Sequence, residues 1–489
     1  MIRSREALWL VAAMLLVVLP LVWPAIPPLN DLPEHIGRYH IAATIDRSPE
    51  LQRAWAYHWQ LIGNLGVDLP VIAIAPWIGV ERATKLVVML IPAAFVAGLW
   101  TIGHVRDRPV PPLAGFAFAL AYSHAFSLGF VNFALSVSLS FFALAGWIAL
   151  HDRPFIRVLV FVPVSWALWI AHSSGWGMFG LMAWASAMML ERERELGWGA
   201  SIRNATLASL ALATPLLTMI GSDGPAIAPF WIWPSKASAI ASLVRDRWQW
   251  FDVASACIVV LLVRTALRHR DWRCDAVIAA PGAILLLAFV TLPHGAIGGA
   301  YVDMRVLAPA CALLLWSVRI ESLRTARRLF AAGAAFLAIR MLATTLSYAS
   351  FAAVWEETQA AIPAMPRGAR VLSLVAEPCT STWRSDRLGH LAGLAITRRD
   401  VFENGAWAIA GQQSLRIRGD ADPVYRTDPS QLVYPAGCLP DTTDRNRALA
   451  AFDRRYFTHV WLIGLPGPVP ADLRPVFRNA RSTLYRVVR

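Results

Sequence analysis

The sequence predicts an α-helical polytopic membrane protein of about eleven transmembrane helices, followed by a C-terminal extracytoplasmic α/β domain. Three observations support this fold class. Of 489 residues, 57% are hydrophobic and 16% are charged, whereas charged residues make up about 25% of ordinary soluble domains. Apolar stretches of roughly 16 to 23 residues, long enough to cross a bilayer, recur along residues 7–348. Beyond Phe351 these stretches shorten, and Pro, Gly, Asp and Arg become frequent.

The first element is the apolar stretch within "MIRSREALWLVAAMLLVVLPLVWPAIPP". It follows a basic start, but it is longer than the core of a signal peptide and lacks an Ala-x-Ala cleavage site. We therefore predict an uncleaved first transmembrane helix.

Arg-rich segments occur at every second connection between the apolar stretches. Because loops rich in Lys and Arg tend to stay in the cytoplasm, they mark the inner side of the membrane. These segments are MIRSRE at the start, HVRDRP from His104, HDRPFIR from His151, ERERELGWGASIR from Glu191, RTALRHRDWR from Arg264 and RIESLRTARR from Arg319. The alternation predicts a multi-pass inner (plasma) membrane protein with a cytoplasmic N-terminus and an extracytoplasmic, periplasmic C-terminal domain.

The remaining loops then face outward, near residues 29–80, 127–130, 172–175, 221–250 and 293–303. Within the large first loop, "LPVIAIAPWIGV" at 69–80 has only about a dozen residues and contains two prolines. We interpret it as interfacial or re-entrant. If it spans the membrane, a helix must be removed elsewhere to keep the alternation.

The predicted domains are a transmembrane domain at 1–348 and a soluble extracytoplasmic α/β domain at 349–489. In the second domain, "ARVLSLVAE", "THVWLIGL" and "STLYRVVR" are short Val- and Leu-rich runs typical of strands. Ala-rich helical candidates, "WEETQAAIPAM" and "DRNRALAAFDRRYF", lie before or between them. A tail of about 140 residues is large enough for its own core.

Two of the five cysteines, Cys379 and Cys438, lie in this tail. Only there would they meet an oxidising compartment. We predict a disulfide that closes a loop of about 60 residues, although pairing cannot be deduced from the sequence alone.

The net charge of +13 does not indicate a nucleic-acid partner, because the Arg residues lie in short loops between apolar stretches. The sequence has no Walker loop and no His-Glu-x-x-His, Cys-x-x-Cys or Gly-x-Ser-x-Gly motif. We therefore expect no nucleotide or nicotinamide cofactor, and a divalent metal remains open.

The outward segment "NDLPEHIGRYH" carries Asp31, Glu34, His35 and Arg38 on one face of a predicted helix, since they are three and four residues apart. Asp31 and Glu34 also fit an acidic capping box, in which the Asp31 side chain accepts from the amide of residue 34. A cap and a catalytic carboxylate are compatible roles. A solvated face could carry Asp, Glu and Arg, but His among them favours a functional site.

Further polar residues collect at the outer ends of predicted spans, where a charge costs about 2.5 to 3.5 kcal/mol and usually has a partner or a task. They are His124, Asn132, His172, Lys236, Arg245, Asp246, His294, Asp303 and Arg305. Any one histidine can be a hydrogen-bonded interior residue. Together with Lys236 and Arg305, the three histidines His124, His172 and His294 would suit an outward cavity that binds a phosphate or diphosphate. Asp303 and Arg305 cannot face each other along a helix, so we expect separate partners. The alternative is a salt-bridged span end without chemistry.

The layout of a first span, an outer loop with an acidic motif, many spans and an outer α/β domain resembles the GT-C superfamily of polyprenyl-phosphate-dependent glycosyltransferases. That superfamily includes protein mannosyltransferases and the aminoarabinose transferases that modify lipid A. The motif "NDLPEHIGRYHIAA" carries the resemblance, and "GFVNFALSVSLSFFALAGWIAL" and "HSSGWG" are similar to uncharacterised bacterial members. The resemblance implies that Asp31 is the catalytic base or orients the acceptor. Glu34 departs from the family's adjacent Asp-Glu pair, because it comes three residues later.

The resemblance also implies an inverting transfer of a sugar from a polyprenyl-phosphate donor, in the lipid bilayer, to an envelope lipid, glycan or protein acceptor. Asp31 would deprotonate the acceptor hydroxyl, and basic residues would stabilise the leaving phosphate. The candidate substrate- and phosphate-binding residues are Glu34, His35, Arg38, His124, Asn132, His172, Lys236, Arg245, His294, Asp303 and Arg305. The alternative is a non-catalytic membrane protein that binds, carries or assembles envelope lipids. Secondary transport is less favoured, because the ionisable residues cluster at the ends of spans and hardly at the midplane.

Overall fold

A computed structural model describes residues 4–219, 228–296, 299–380, 382–384, 386–409, 411–419, 425, 430–438 and 442–488. Parts of three predicted segments lie outside these residues. They are residues 1–3 of the first basic segment, 221–227 of the outer loop at 221–250, and 297–298 of the outer loop at 293–303.

Helices dominate the described residues. The α-helices are α1 Ser4–Val22, α2 Leu32–Thr44, α3 Pro49–Ala54, α4 Asp68–Ile78, α5 Val80–Val105, α6 Ala114–Ala119, α7 His124–Ser127, α8 Val131–Ala149, α9 Pro154–Ala171, α10 Ser173–Glu193, α11 Trp198–Ser209, α12 Trp233–Ala241, α13 Gln249–Arg268, α14 Ala276–Thr291, α15 Val302–Arg305, α16 Leu307–Trp316, α17 Leu323–Gln359, α18 Gly393–Arg399 and α19 Arg445–Ala451. Short 3-10 helices lie at Ile45–Arg47, Leu120–Tyr122, Leu210–Met219 and Ile362–Ala364.

The strands are short and lie mostly in the tail. They are β1 Trp55–Tyr57, β2 Trp272–Cys274, β3 Val318–Ile320, β4 Arg370–Ala376, β5 Phe402–Glu403, β6 Leu415–Ile417, β7 Leu432–Val433, β8 His459–Ile463, β9 Leu473–Arg478 and β10 Ser482–Val487.

The chain forms two compact units. The first, the membrane unit, comprises residues 1–23, 63–67 and 88–346, and the second, the mixed unit, comprises residues 24–62, 68–87 and 347–489. The mixed unit therefore contains most of the predicted first outer loop together with the tail. Its last segment begins at Ser347, close to the predicted boundary at 348, and the independence of a 349–489 domain stays a prediction.

The membrane unit is built from apolar helices that pack closely. Helix α14 packs against α10 and α16. Its Gly282 permits the close approach to α16, because a Cβ atom there would lie 2.9 Å from the carbonyl oxygen of Ala310. Small residues at such contacts are typical of helices that associate within membranes.

Among the described residues, five helices are long and apolar enough to cross a membrane: α5, α8, α9, α13 and the apolar part of α17. Three shorter apolar helices are Glu6–Val22, α4 and α14. The chain is thus a multi-pass membrane protein by length and composition, and the predicted count of about eleven spans is not confirmed. Helix α4 has 11 residues, which is about half the length needed to span, and an interfacial or re-entrant position stays a prediction.

The mixed unit is organised around a six-stranded sheet in the order β5, β4, β8, β10, β9, with β7 also paired to β4. Strand β4 runs parallel to β5, β7 and β8, and its pairing with β8 extends from Val371 opposite His459 to Val375 opposite Ile463. Strands β8, β10 and β9 are antiparallel. The sheet contains all three strands that the sequence predicted, as β4, β8 and β10.

Helix α2 packs closely against α18 within the mixed unit. The two helices meet at glycines: a Cβ atom on Gly37 would lie 2.9 Å from the carbonyl oxygen of Gly393, and one on Gly393 would lie 2.7 Å from that of Pro33. A disulfide joins Cys379 to Cys438, whose Cα atoms are 5.3 Å apart, which confirms the predicted pairing.

Candidate functional site

Helix α2 presents the predicted polar face, and this face is buried. Asp31, directly before the helix, has 9% of its surface exposed, and Glu34, His35 and Arg38 have 3%, 8% and 4% exposed. The interpretation of this face as solvated is therefore wrong. Buried charged and polar groups need partners or a function, and the four side chains differ in what they meet.

The Asp31 side chain does not cap α2. Asp31 precedes the helix with φ −86° and ψ −10°, already close to helical values, and makes no side-chain capping hydrogen bond. Its main-chain carbonyl accepts from His35 instead, at 3.2 Å. The carboxylate accepts from Asn30 Nδ2 at 2.9 Å and faces His390 Nε2 at 3.8 Å. The capping-box prediction is thus wrong for the Asp31 side chain.

Glu34 meets a second carboxyl group. It shares a hydrogen bond with Glu403 of β5, a residue with no exposed surface. The Glu403 carboxyl also accepts from the hydroxyl of Ser373 and, at 2.9 Å, from the amide of Gly405. Burial raises the pKa of Glu403, and these hydrogen bonds oppose the rise. Two buried carboxyls in hydrogen-bond contact need a proton between them, so one of the pair is neutral.

Arg38 is neutralised by Asp68 at the start of α4. Its Nε and Nη2 atoms donate to the two carboxylate oxygens at 3.0 and 3.1 Å, and both residues are buried. Burial alone would lower the pKa of Arg38, but the Asp68 charge more than offsets it, and the pKa is raised. Burial beside this pair raises the pKa of Tyr57 to about 12. The bidentate pair fixes α4 to α2.

The rings of His35 and His390 both pack against that of Trp407. The ring centroids of His35 and Trp407 are 5.1 Å apart, and those of His390 and Trp407 are 4.7 Å apart. His390 comes from the segment before α18, and Trp407 follows β5. The acidic face of α2 is therefore completed by residues from the tail.

In the membrane unit, Asp303 of α15 is surrounded by basic groups. It accepts from Lys236 Nζ at 3.1 Å and lies 3.2 Å from Nδ1 of His294. Lys236 Nζ also donates to the carbonyls of Phe289 and Leu292, at 2.7 and 2.9 Å, near the end of α14. All three N–H bonds of the ammonium are used, so this cluster resembles the salt-bridged span end considered above.

Arg305, two residues later, has different partners, as the sequence predicted for this pair. Its Nη1 lies 3.2 Å from His172 Nε2, and its guanidinium lies over the rings of Phe130 and Phe133, at 4.5 and 5.5 Å. His172 Nδ1 accepts from the amide of Ser174 at 3.0 Å. A neutral imidazole has one lone pair, so a ring that accepts at Nδ1 carries its proton on Nε2. Two N–H donors then face each other.

His124 shares a small pocket with Arg305. The pocket, of about 20 Å³, is lined by Ser123, His124, Ser242, Leu243 and Arg305, among others. The main-chain amide of His124 donates to the Leu243 carbonyl at 3.1 Å, which fixes α7 against the turn that follows α12. The pocket thus has basic and hydroxyl groups on its wall.

Tyr301, directly before α15, has φ +59°. A bulky residue with positive φ is strained, and such residues cluster at functional sites. Its ring lies 5.0 Å from that of His294 and 6.3 Å from that of Phe130. It therefore lies between the Asp303 cluster and the aromatic surroundings of Arg305.

Asn132 has a structural environment. Its Oδ1 accepts from the amide of Val67 at 2.6 Å, and its Nδ2 donates to the carbonyl of Asn64 at 2.8 Å. Asn132 thus fixes segment 63–67 to α8, and its predicted role in substrate binding stays a prediction.

Arg245 and Asp246 lie in a turn that is held by an ion pair missed in the sequence. Arg340 donates to Asp252 Oδ1 and to the Val244 carbonyl, both at 2.7 Å. Asp252 Oδ2 accepts from the Asp246 amide at 2.9 Å. An Arg inside the apolar run of α17 was the available sequence signal, because an intramembrane charge needs a named partner.

The other residues missed in the sequence are Asp68, His390, Glu403 and Trp407. His390, Glu403 and Trp407 lie far from α2 along the chain, and Asp68 follows a short apolar run. No sequence spacing relates any of these residues to α2. Among the described residues, no group of three or more His, Cys, Asp or Glu side chains could hold a metal ion.

No family model matches the sequence. No curated protein matches it. A solved structure does: ArnT from Cupriavidus metallidurans bound to undecaprenyl phosphate, with a TM-score of 0.53 and 10% sequence identity, over 99% of this chain and 98% of that one. The chain has an ArnT-like fold. At this identity the likeness describes the fold, and it confirms at that level the GT-C resemblance of the sequence.

The ArnT-like fold covers almost the whole chain, so the mixed unit belongs to it as well as the membrane unit. The roles of the individual side chains are a separate question, since a fold can host many functions.

Proposed function

We propose that the protein is an inverting membrane glycosyltransferase that moves a sugar from a polyprenyl-phosphate donor to an acceptor hydroxyl. One observation carries the proposal beyond the fold: in the membrane unit, Arg305 and the Nε2–H of His172 point at each other, 3.2 Å apart. An anionic oxygen that accepts from both would remove this conflict. A phosphate is the anion that the ArnT-like fold suggests, because that ArnT structure contains undecaprenyl phosphate.

The surroundings of Arg305 suit a lipid-linked phosphate. The guanidinium is half-buried over Phe130 and Phe133, so hydrogen bonds to it are stronger than in water. Arg binds phosphate in a two-pronged manner that Lys cannot reproduce. Lys236 already uses its ammonium group on Asp303 and two carbonyls, so we assign the phosphate to Arg305 and His172.

Asp31 supplies the base in this proposal. It takes the proton of the acceptor hydroxyl, whose oxygen forms a bond to the sugar carbon. The bond from that carbon to the phosphate oxygen breaks, and the phosphate keeps the electron pair. Basic groups that bind the phosphate stabilise the negative charge that develops there. One displacement inverts the sugar carbon, and Asp31 then returns its proton to the solvent.

The acceptor in this proposal is an envelope lipid, glycan or protein on the extracytoplasmic side. We assign the N-terminus to the cytoplasm and the mixed unit to the outside. The disulfide between Cys379 and Cys438 supports this orientation, because disulfides persist in oxidising compartments.

Binding of undecaprenyl phosphate to the full-length protein in lipid nanodiscs tests the donor site. We expect Arg305→Ala to weaken binding roughly 10- to 100-fold, since a hydrogen bond to a charged group contributes about 1.5 to 3 kcal/mol. Arg305→Lys should recover only part of the affinity. Arg324→Ala, at an exposed position in the same unit, is the matched control and should bind as the wild type does. Equal affinity of the Arg305→Ala and Arg324→Ala variants would contradict the assignment.

Mass spectrometry of envelope glycolipids and glycans from cells with and without the protein separates the proposal from its alternative. Loss of one sugar modification on deletion, restored by the wild type and not by Arg305→Ala, supports a transferase. Binding of the lipid phosphate with no altered glycan or glycolipid supports a carrier of envelope lipids.

A further inference from the structure

The segment before α18 places His390 against Asp31 and holds it there from several sides. Its main-chain carbonyl accepts from the amide of Gly393 at 3.1 Å, which fixes the backbone at the entrance of the helix. Only 8% of the His390 surface is exposed. The ring of Trp407 lies 4.7 Å from the imidazole. The orientation of the ring is therefore determined by packing as well as by hydrogen bonds.

Gln431 selects which ring nitrogen carries the proton. Its Nε2 donates to the carbonyl of Gly389 at 3.1 Å and lies 3.4 Å from His390 Nδ1. The main-chain carbonyl of Gln431 accepts from the amide of Val375 in β4, at 2.8 Å. This hydrogen bond fixes the backbone of Gln431 to the sheet. A neutral ring that accepts at Nδ1 carries its proton on Nε2, which is the atom that faces Asp31.

The charges around His390 favour its interaction with carboxylates. Asp31 lies 3.8 Å from Nε2, which is longer than a hydrogen bond and within the range of an ion pair. Glu377, directly after β4, is a second carboxyl group near the ring: burial raises the pKa of Glu377, and the charge of His390 opposes that rise. On α2, Glu34 and His35 follow Asp31, and the ring of His35 packs against that of Trp407. Arg387, three residues before His390, is a buried cation of the same segment, and its Nη1 donates to the carbonyl of Pro28 at 2.7 Å.

We propose that His390 is a positioning residue, whose Nε2–H faces the Asp31 carboxylate and favours its ionised form for proton transfer. The inference rests on the proposed function, in which Asp31 is the base. It gives the tail a part in the reaction, because His390, Gln431 and the sheet that supports them all lie beyond α17. The arrangement is a sequence of contacts from β4 through Gln431 and His390 to Asp31.

The reaction explains why such a residue is useful. A base must be ionised before it can accept a proton, and burial of Asp31 opposes ionisation. A donor or an imidazolium that faces the carboxylate favours the charged form. His390 therefore extends the acid side of the pH range in which Asp31 can act.

The test measures the protonation of Asp31 without using activity. Dicyclohexylcarbodiimide labels protonated carboxyl groups, and mass spectrometry of peptides from the full-length protein locates the label. We expect the labelling midpoint of Asp31 to move to higher pH by about one unit in His390→Ala. His390→Gln keeps an N–H donor, and its midpoint should lie between those of the wild type and the Ala variant. Asp31→Asn identifies the labelled peptide.

His58→Ala is the matched control, because His58 is an exposed histidine in the same unit. It should leave the midpoint unchanged. Thermal unfolding of both His390 variants shows whether they fold, and the Gln variant, close in size, keeps the test valid if the Ala variant does not. An Asp31 midpoint that is equal in the wild type and in the folded His390 variants overturns the role of His390.

Activity provides the second measurement and separates the two hypotheses. The acid side of the pH profile of kcat should move upward in His390→Ala, in the same direction as the labelling. A wild-type protein that binds the lipid phosphate but transfers no sugar overturns the proposed function. An unchanged pH profile in an active His390→Ala variant overturns the positioning role alone.

Discussion

The membrane unit and the mixed unit each contain two kinds of contact between buried polar groups. In the membrane unit, Asp303 is matched by Lys236, and in the mixed unit, Arg38 is matched by Asp68. In each unit a nearby residue instead contacts a group of the same hydrogen-bonding type, which we call a mismatched pair. Arg305 faces the Nε2–H donor of His172, and Glu34 contacts the carboxyl of Glu403. Opposite charges in contact stabilise a fold without any ligand, whereas like groups in contact are stable only with something between them.

This difference suggests which of the residues predicted from the sequence have a structural role and which have a functional role. In the proposed function the pair of donors binds an anion, and the pair of acceptors would accommodate a proton or a donor. A mismatch that persists in a folded protein indicates a functional site better than a perturbed charge with a good partner does. Each prediction below tests whether a residue belongs to the matched or to the mismatched class.

The largest effect is expected at Asp31, which is the base in the proposed function. Asp31→Asn cannot accept the proton, so transfer should fall about 10²- to 10⁴-fold. Because Asp31 makes no side-chain cap, Asp31→Ala should be inactive and as stable as the Asn variant. Transfer kinetics and thermal unfolding measure the two properties.

Asp46→Asn is the control for this experiment, because Asp46 is an exposed residue of the same unit. It should be fully active. If Asp31→Asn transfers sugar at the wild-type rate while chemistry limits turnover, Asp31 is structural, and the base must be sought among Glu34, Asp246 and Asp303.

The next effect concerns stability, at the matched pair of Arg38 and Asp68. Asp68→Asn leaves a buried guanidinium without its carboxylate, and the mixed unit should lose about 3 to 5 kcal/mol of unfolding free energy. The double variant Arg38→Met with Asp68→Leu should recover most of the loss, since well-packed apolar groups can replace a buried ion pair. Denaturant unfolding of the four combinations gives the coupling energy.

The exposed pair of Glu50 and Arg53 is the matched control. Glu50→Gln should change stability by no more than about 1 kcal/mol, as surface ion pairs do. A double variant as unstable as Asp68→Asn would mean that the charges at this position have a task other than pairing.

Much of this arrangement could be predicted from the sequence, because some of its causes are local. Spacings of three and four residues placed Asp31, Glu34, His35 and Arg38 on one face of α2, and the structure has that face. The strands β4, β8 and β10 were visible as short apolar runs between turn residues. The pairing of Cys379 and Cys438 was predicted because they are the two cysteines of the tail and the tail was assigned to an oxidising compartment.

The partners could not be predicted, because they depend on tertiary contacts. Nothing near Glu403 or His390 in the sequence connects them to α2, which meets α18 through Gly37 and Gly393. The cap at Asp31 was predicted wrongly because its backbone is already near helical, which turns the side chain away from the amides it would cap. The apolar run before Trp316 forms the short buried helix α16, and periodicity alone does not distinguish such a segment from a span.

The smallest effect is expected at the mismatched carboxyls, and it has a defined sign with pH. Burial raises the pKa of Glu403, so the unfolded chain ionises first, from its ordinary value of 4.5 upward. The contact therefore stabilises the mixed unit fully below that pH, and the contribution is lost as the pH rises through the folded value. Glu34→Gln places an amide donor against the Glu403 carboxylate and needs no shared proton. Its unfolding free energy should match that of the wild type near pH 4.5 and exceed it by about 1 kcal/mol at pH 8. Glu356→Gln, at an exposed position, should follow the wild type throughout, and parallel curves for all three proteins would show that Glu34 and Glu403 share no proton.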